Sequence, residues 1–296
     1  MHAFPTAPPG IFMLDGNKPS PHGYGINEGD SLEDNLCLYS PFWENAGSRS
    51  QSVVGDGTAD GTNIGTTWVT KPRGPVLDFG GLGDAFRVDI PFSDALDMGG
   101  ATEATWSVWS TVRSLDGARD SRFLDHHGAT TGNSWGWAYG PEGGGTLGMG
   151  LFINATSGNW NMLSDNSIVT LDECHLYTVT WRGGDHCRFY LDGKFFSNGD
   201  KVAAGPIATV AGTADERKIY IGDRDPADAT RALDGQIESV AIWNRALETS
   251  EIKKLFSEPF GLITPGTQTI SVEVAAAGGR KNPLNMPLTF PIGGPL

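Results

Sequence analysis

Cysteine is scarce: Cys37, Cys174 and Cys187 are the three in 296 residues. An odd count leaves at least one thiol unpaired, and no Cys-x-x-Cys pair exists to make a zinc site. Cys174 and Cys187 flank one predicted hairpin and could lie close, but the expectation is reduced, buried thiols acting as small apolar side chains. Positive charge is also short. Lys and Arg number 21 against 35 Asp and Glu, for a net charge of −14 and a pI of about 4.7. Such a surface repels phosphate backbones and anionic lipid, which argues against nucleic-acid and membrane partners. No apolar run approaches the roughly 20 residues that span a bilayer. The first residues, MHAFPTAPPGIFMLDG, have neither a basic start nor a continuous apolar stretch, so no secretory signal is expected. No G-x-S-x-G nucleophile motif is present, and Glu103, Glu142, Glu173, Glu216 and Glu238 stand isolated.

What is abundant is glycine, 41 residues, together with nine tryptophans and short alternating segments. The clearest is LYTVTWRGGDHCRFYLDGKFF, from Leu176 to Phe196. Leu176, Thr178 and Thr180 alternate with Tyr177, Val179 and Trp181. After Arg182-Gly183-Gly184-Asp185, Cys187, Phe189 and Leu191 alternate with Arg188, Tyr190 and Asp192. Period 2 on both sides of a Gly-Gly turn predicts a hairpin, and Asp192-Gly193 predicts a second turn into Lys194-Phe195-Phe196. Further strands are expected at 66–70, 76–79, 86–90, 105–112, 122–125, 147–154, 160–163, 207–210, 218–222 and 236–244. Ser93 to Leu96 reads as a loop or one helical turn. The one clear helix is Thr249 to Ser257, where Ile252, Leu255 and Phe256 recur at i, i+3, i+4; Thr249 caps it and Pro259 ends it.

Four segments carry a family resemblance. Val76-Leu77-Asp78-Phe79-Gly80-Gly81 with Ala85-Phe86-Arg87-Val88 comes first, then Ala104-Thr105-Trp106-Ser107-Val108-Trp109. The hairpin above, with its Tyr190-Leu191-Asp192-Gly193, follows. Last come Ile219-Tyr220-Ile221-Gly222 and the run from Leu233 to Leu247. In this order they resemble the laminin-G-like, or concanavalin A-like, lectin domains, over roughly residues 36 to 258. The resemblance implies an all-β, two-sheet antiparallel jelly-roll sandwich. It leaves function open, because this fold hosts lectins, enzymes, adhesion modules and virion parts.

Outside the sandwich, assigned to residues 32–263, the expectation is two extended arms. Residues 1–31 are rich in proline, with apolar anchors at Phe4, Ile11 and Phe12. Residues 264–296 hold one added strand and a Pro-spaced apolar tail with Leu284, Met286, Phe290 and Ile292. These are either disordered tails or arms that dock on neighbouring subunits. A fold typical of the cell exterior, without secretory signal or disulfides, suggests a bacteriophage-like virion protein. Capsid decoration or cement is the leading role, with copies of itself or the major capsid protein as partners. A carbohydrate-binding module is the alternative: a tail-fibre receptor-binding part or a bacterial surface lectin. A sandwich-fold glycoside hydrolase is more remote, because the E-x-D-x-E or E-x-x-E carboxylate runs of such enzymes are missing. The expectation is therefore a protein that is not an enzyme.

Candidate sites follow. Glycans stack on aromatic platforms, and Trp135, Trp137 and Tyr139 share one face at period 2 among glycines; Trp160, between Asn159 and Asn161, is a second option. The competing reading packs that aromatic face into the core. The resemblance implies one calcium ion on hard oxygen ligands, with the family's acidic position falling at Glu238, a glutamate in place of aspartate. Asp56, Asp60, Asp223, Asp225 and Asp228 lie in predicted loops and could contribute, or be solvated turn residues. His126 and His127 read as solvent-facing loop residues.

Overall fold

Short strands joined by tight turns make up most of the protein in the computed structural model. It describes residues 24–54, 59–81, 86–114, 120–128, 132–140, 147–165, 167–209, 213, 217–224, 231–265, 267–270 and 288–291. In chain order the elements are β1 (Tyr24–Ile26), β2 (Leu36–Ser40), β3 (Arg49–Ser50), β4 (Gly61–Ile64), β5 (Thr67–Lys71), β6 (Gly74–Gly80), β7 (Arg87–Ile90) and α1 (Asp94–Asp97). Next are β8 (Glu103–Val112), β9 (Ser121–Gly128), β10 (Gly132–Tyr139), β11 (Met149–Ala155), β12 (Gly158–Leu163), β13 (Cys174–Arg182), β14 (His186–Leu191) and β15 (Lys194–Val202). The chain continues through β16 (Ile219–Ile221), β17 (Asp234–Trp243), α2 (Thr249–Ser257), β18 (Ile263–Pro265), β19 (Thr267–Ile270) and β20 (Leu288–Pro291).

Two eight-stranded antiparallel sheets face each other. The first runs β12-β11-β10-β9-β16-β7-β4-β3. The second runs β15-β14-β13-β8-β17-β6-β5, with β2 also pairing to β17. Strand β17 is long enough to serve two partners on one side: Asp234 to Ile237 pair with β6, and Val240 to Trp243 pair with β2. This is the two-sheet jelly roll that the alternation and the resemblance implied. Turn chemistry fixes the register of the hairpins. Asp192 (φ 51°) and Gly193 (φ 74°) both take positive φ, the turn whose twist matches the strands it joins.

Alternation assigns each strand of the second sheet to two cores. Trp106, Val108, Tyr177, Val179, Trp181, Phe189, Ile237, Val240 and Ile242 point between the sheets. Their neighbours Trp109, Leu176, Tyr190, Ala241 and Trp243 point outward, into a second apolar cluster with Leu247, Ile252, Leu255, Phe260 and Ile263. An outward apolar face needs a cover, and α2 supplies it with Ile252 and Leu255. Glu248 rather than Thr249 precedes the first turn. Its N–H donates to the Glu251 carboxylate (2.8 Å), and Arg245 forks onto the same carboxylate at 2.8 Å from each terminal nitrogen.

The last residues of the expected N-terminal arm contact the sandwich. Tyr24–Ile26 pairs with Ile263–Pro265, Asn27 N–H donates to Leu262 O, and Lys254 pairs with Asp30. Residues 24–31 are thus joined to the C-terminal end of the sandwich. Thr267–Ile270 pairs with Leu288–Pro291 as a separate ribbon that places the Phe290 backbone opposite Gln268. Phe4, Ile11, Phe12, Leu284, Met286 and Ile292 lie outside the described residues. In place of the strand expected at 207–210, the described residues there show one isolated bridge, Ile207 to Ala155. The segment expected as a histidine loop is strand: His126 lies on β9, fully buried, with Nδ1 2.8 Å from Ser134 Oγ and Nε2 3.1 Å from Arg217 O. His127 continues the same strand. The three cysteines are free thiols, and burial pushes each one's pKa up.

Candidate functional site

The aromatic platform expected at Trp135, Trp137 and Tyr139 does not face solvent. All three sit on β10 with side chains fully buried between the sheets. Trp135 meets Trp106 of the opposite sheet at 5.3 Å between ring centroids. Phe123 lies 5.2 Å from Trp137, 4.9 Å from Tyr139 and 5.5 Å from Tyr177. These rings join the two sheets, which is the core reading of the same period-2 pattern. Trp160 on β12 is half-buried and packs against that core.

The opposite face of the first sheet is charged and closed. Asp125 pairs across strands with Gly136 and Tyr220, on the side away from Trp135 and Trp137. It is fully buried, 3.3 Å from Arg122, which also pairs with Asp120 at 3.1 Å and lies 4.2 Å over the Phe152 ring. Arg231 joins Asp120.

Of the expected calcium ligands, Glu238, Asp60 and Asp223 lie among the described residues. Glu238 lies 3.6 Å from Arg73 and accepts from Cys174 Sγ at 3.2 Å, while Arg73 stacks over Trp109. Asp60 is engaged by Arg49 and the Ser52 N–H. Asp223 is fully buried and accepts from the Arg224 N–H. Asp56, Asp225 and Asp228 lie outside the described residues. Among the described residues no three His, Cys, Asp or Glu side chains are placed to hold a metal. The glutamate at 238 is committed to a cation and a thiol.

A cleft opens instead on the outer face of the second sheet. It lies between the β13–β14 hairpin and the turn that enters α2. Thr180 and Arg182 come from β13, Asp185 from the turn, and His186, Arg188 and Tyr190 from β14. Ala246 to Thr249 form the far wall. Thr180 and Arg188 are cross-strand partners, so their side chains share one face. Tyr190 is the buried floor, its hydroxyl 3.4 Å from Thr249 Oγ1. Opposite it on β15, Phe195 is 51% exposed and meets the Tyr190 ring edge-on at 5.8 Å. Arg182 is held by Glu248 at 2.7 Å and Glu103 at 3.4 Å, and these carboxylates raise its pKa further. His186 Nδ1 lies 2.7 Å from Gly199 O. A carbonyl only accepts, so Nδ1 carries the proton and Nε2 of the neutral ring is an acceptor. An aromatic face, hydroxyls, a carboxylate and guanidinium forks therefore meet in one place.

These features place the chain in a family. A family model described as the concanavalin A-like lectin/glucanases superfamily matches residues 87–253. The chain belongs to that superfamily. Solved structures agree on the fold at low identity. The binding domain of Paraclostridial Mosquitocidal Protein 1 superposes with a TM-score of 0.57 at 13% identity, over 76% of this chain and 52% of that one. Trypanosoma rangeli sialidase in complex with the inhibitor DANA gives 0.51 at 17%, over 74% and 32%. Domain 4 of AbnA, a GH43 extracellular arabinanase from Geobacillus stearothermophilus, in complex with arabinotriose, gives 0.52 at 15%, over 75% and 98%. The chain thus spans about half of the mosquitocidal binding domain and a third of the sialidase. No curated protein matches the sequence.

These matches correct one expectation. The sequence argued against an enzyme, yet sialidase and arabinanase chains share this fold, so the superfamily fold does not separate catalysts from binding modules.

The cleft residues Arg182, His186, Arg188, Tyr190 and Glu248, and Phe195 beside Tyr190, were not singled out from the sequence. The available signal was weak. Arg188 and Tyr190 alternate with the core residues Cys187 and Phe189, and Phe195 follows a tight turn, so each had to face away from the main core.

Proposed function

We propose that the sandwich binds a carbohydrate in the cleft between the β13–β14 hairpin and α2. One observation carries this reading: a cleft lined by Thr180, His186, Arg188 and Thr249 over the Tyr190 ring, against which the exposed Phe195 of the next strand packs edge-on. Sugars present an apolar C–H face and a ring of hydroxyls, which such a combination satisfies together. The superfamily assignment and the arabinotriose complex of the arabinanase domain support a glycan as the ligand class. The virion role expected from the sequence depends on the arms. These fall largely in residues 1–23 and 271–287, outside the described residues, and the proposal rests on the sandwich alone.

The test is a glycan array with the full chain, arabinotriose included, followed by titration calorimetry on the best binders with wild type and Phe195→Ala. Binding weakened about tenfold or more by Phe195→Ala, with an unchanged melting temperature, is the expected result. An array without binders, or binders indifferent to Phe195→Ala, would overturn the proposal.

A further inference from the structure

The two guanidinium groups of the cleft are in different states. Arg182 is hydrogen-bonded to a carboxylate, Glu248 at 2.7 Å, with Glu103 beside it at 3.4 Å. Arg188 is not. Its nearest carboxylate among the described residues, Asp185, lies at 3.7 Å, beyond hydrogen-bond reach, and the other oxygen of Asp185 accepts the His186 N–H at 2.8 Å. The Arg188 side chain is 47% exposed and lines the cleft. A planar fork of donors thus faces the opening without a fork of acceptors to match it. The side chain best shaped to meet that fork on a ligand is a carboxylate, bound through two parallel N–H···O bonds.

We infer that the glycan taken by this cleft is an acidic one, a sugar carrying a carboxylate such as a uronic acid, held by Arg188. The inference rests on the glycan reading above and narrows it. The ring of such a sugar lies against Phe195, and its carboxylate pairs with Arg188. Its hydroxyls meet His186 Nε2, Thr180 and Thr249. Overall charge gives no alternative source of affinity for an anion, because the chain carries −14 and its general field repels one. Preference for a carboxylate therefore has to come from this local fork, and single substitutions can remove it.

The experiment titrates the full chain with tetragalacturonate and with its carboxyl-reduced neutral counterpart, for wild type, Arg188→Gln and Asp185→Asn. Wild type is expected to favour the uronate about tenfold or more, as charge-assisted hydrogen bonds warrant. Arg188→Gln abolishes that preference, lowering the affinity for the uronate far more than the affinity for the neutral sugar. Asp185→Asn removes the carboxylate nearest to Arg188 among the described residues and tightens uronate binding a few-fold. Equal or stronger binding of the neutral sugar, or a uronate preference that survives Arg188→Gln, overturns the inference while the glycan reading stands. If neither sugar binds and the array is also blank, the glycan reading itself fails, and this inference with it.

Discussion

Two hairpins of the same sandwich use aromatic side chains in opposite ways. In β9–β10 the rings of Phe123, Trp135, Trp137 and Tyr139 all turn inward, and the outward face holds the Arg122, Asp120 and Asp125 cluster, closed from solvent. In β13–β14–β15 the inward face holds Tyr177, Val179, Trp181 and Phe189, and the outward face carries Tyr190 and the exposed Phe195 beside charged, open side chains. The difference teaches that aromatic content does not mark a binding face. What marks it is whether the side of the strand that carries the rings has another layer packed on it.

The sharpest way to break this comparison is to remove a ring from each hairpin. Trp137→Ala is expected to destabilise the fold by about 3–5 kcal/mol in urea unfolding, because the cavity lies where the two sheets meet. A loss under about 1 kcal/mol would mean that Trp137 is not core.

The charged clusters provide the next contrast. Arg122→Ala removes a buried cation 3.3 Å from buried Asp125 and is expected to cost about 3 kcal/mol. Arg188→Ala, on the open face, is expected to stay within about 0.5 kcal/mol by the same measurement.

A pH series sharpens the comparison at the edge of the second sheet. His175 Nδ1 lies 2.8 Å from Asp192, and Nε2 lies 3.4 Å from Glu173, with the Tyr177 ring edge-on. The Asp192 hydrogen bond, partly opposed by burial, raises the His175 pKa above its ordinary 6.5. A raised folded-state value contributes stability that is fully present below about pH 6.5 and fades as pH rises through the folded value. The stability gap between wild type and His175→Asn is therefore expected to be widest near pH 6 and to shrink toward pH 9. A gap independent of pH would show that His175 acts through packing alone.

The smallest effect belongs to Phe195. Phe195→Ala is expected to change unfolding stability by no more than about 0.5 kcal/mol while weakening glycan binding. Coupled loss of both would place Phe195 in the structural frame rather than on a ligand face.

Much of this was legible beforehand. The two turns around β14 were readable as Gly-Gly and Asp-Gly, and α2 as a 3.6-residue stripe with Pro259 behind it. The shared face of Trp135, Trp137 and Tyr139 was readable too. Its direction was not, because a period of two says which side chains travel together and not which side another sheet covers. Residues 24–31 read as an arm because Tyr24 and Ile26 are too few to build a core. Their backbone pairs with a strand more than 200 residues away in sequence. The cleft was hidden for the same reason. Its floor comes from 180–190 and its far wall from 246–249, and local pattern carries no trace of that approach.

The sequence by itself determined most of the elements, the turns around β14 and the two-sheet class, since these follow from local backbone preference and from the alternation of apolar side chains. Only the tertiary structure decided which aromatic rings are core, which carboxylates are already paired with cations, and that Arg188 and Phe195 are left exposed. Those outcomes depend on what packs across each face, and the packing partners lie far along the chain.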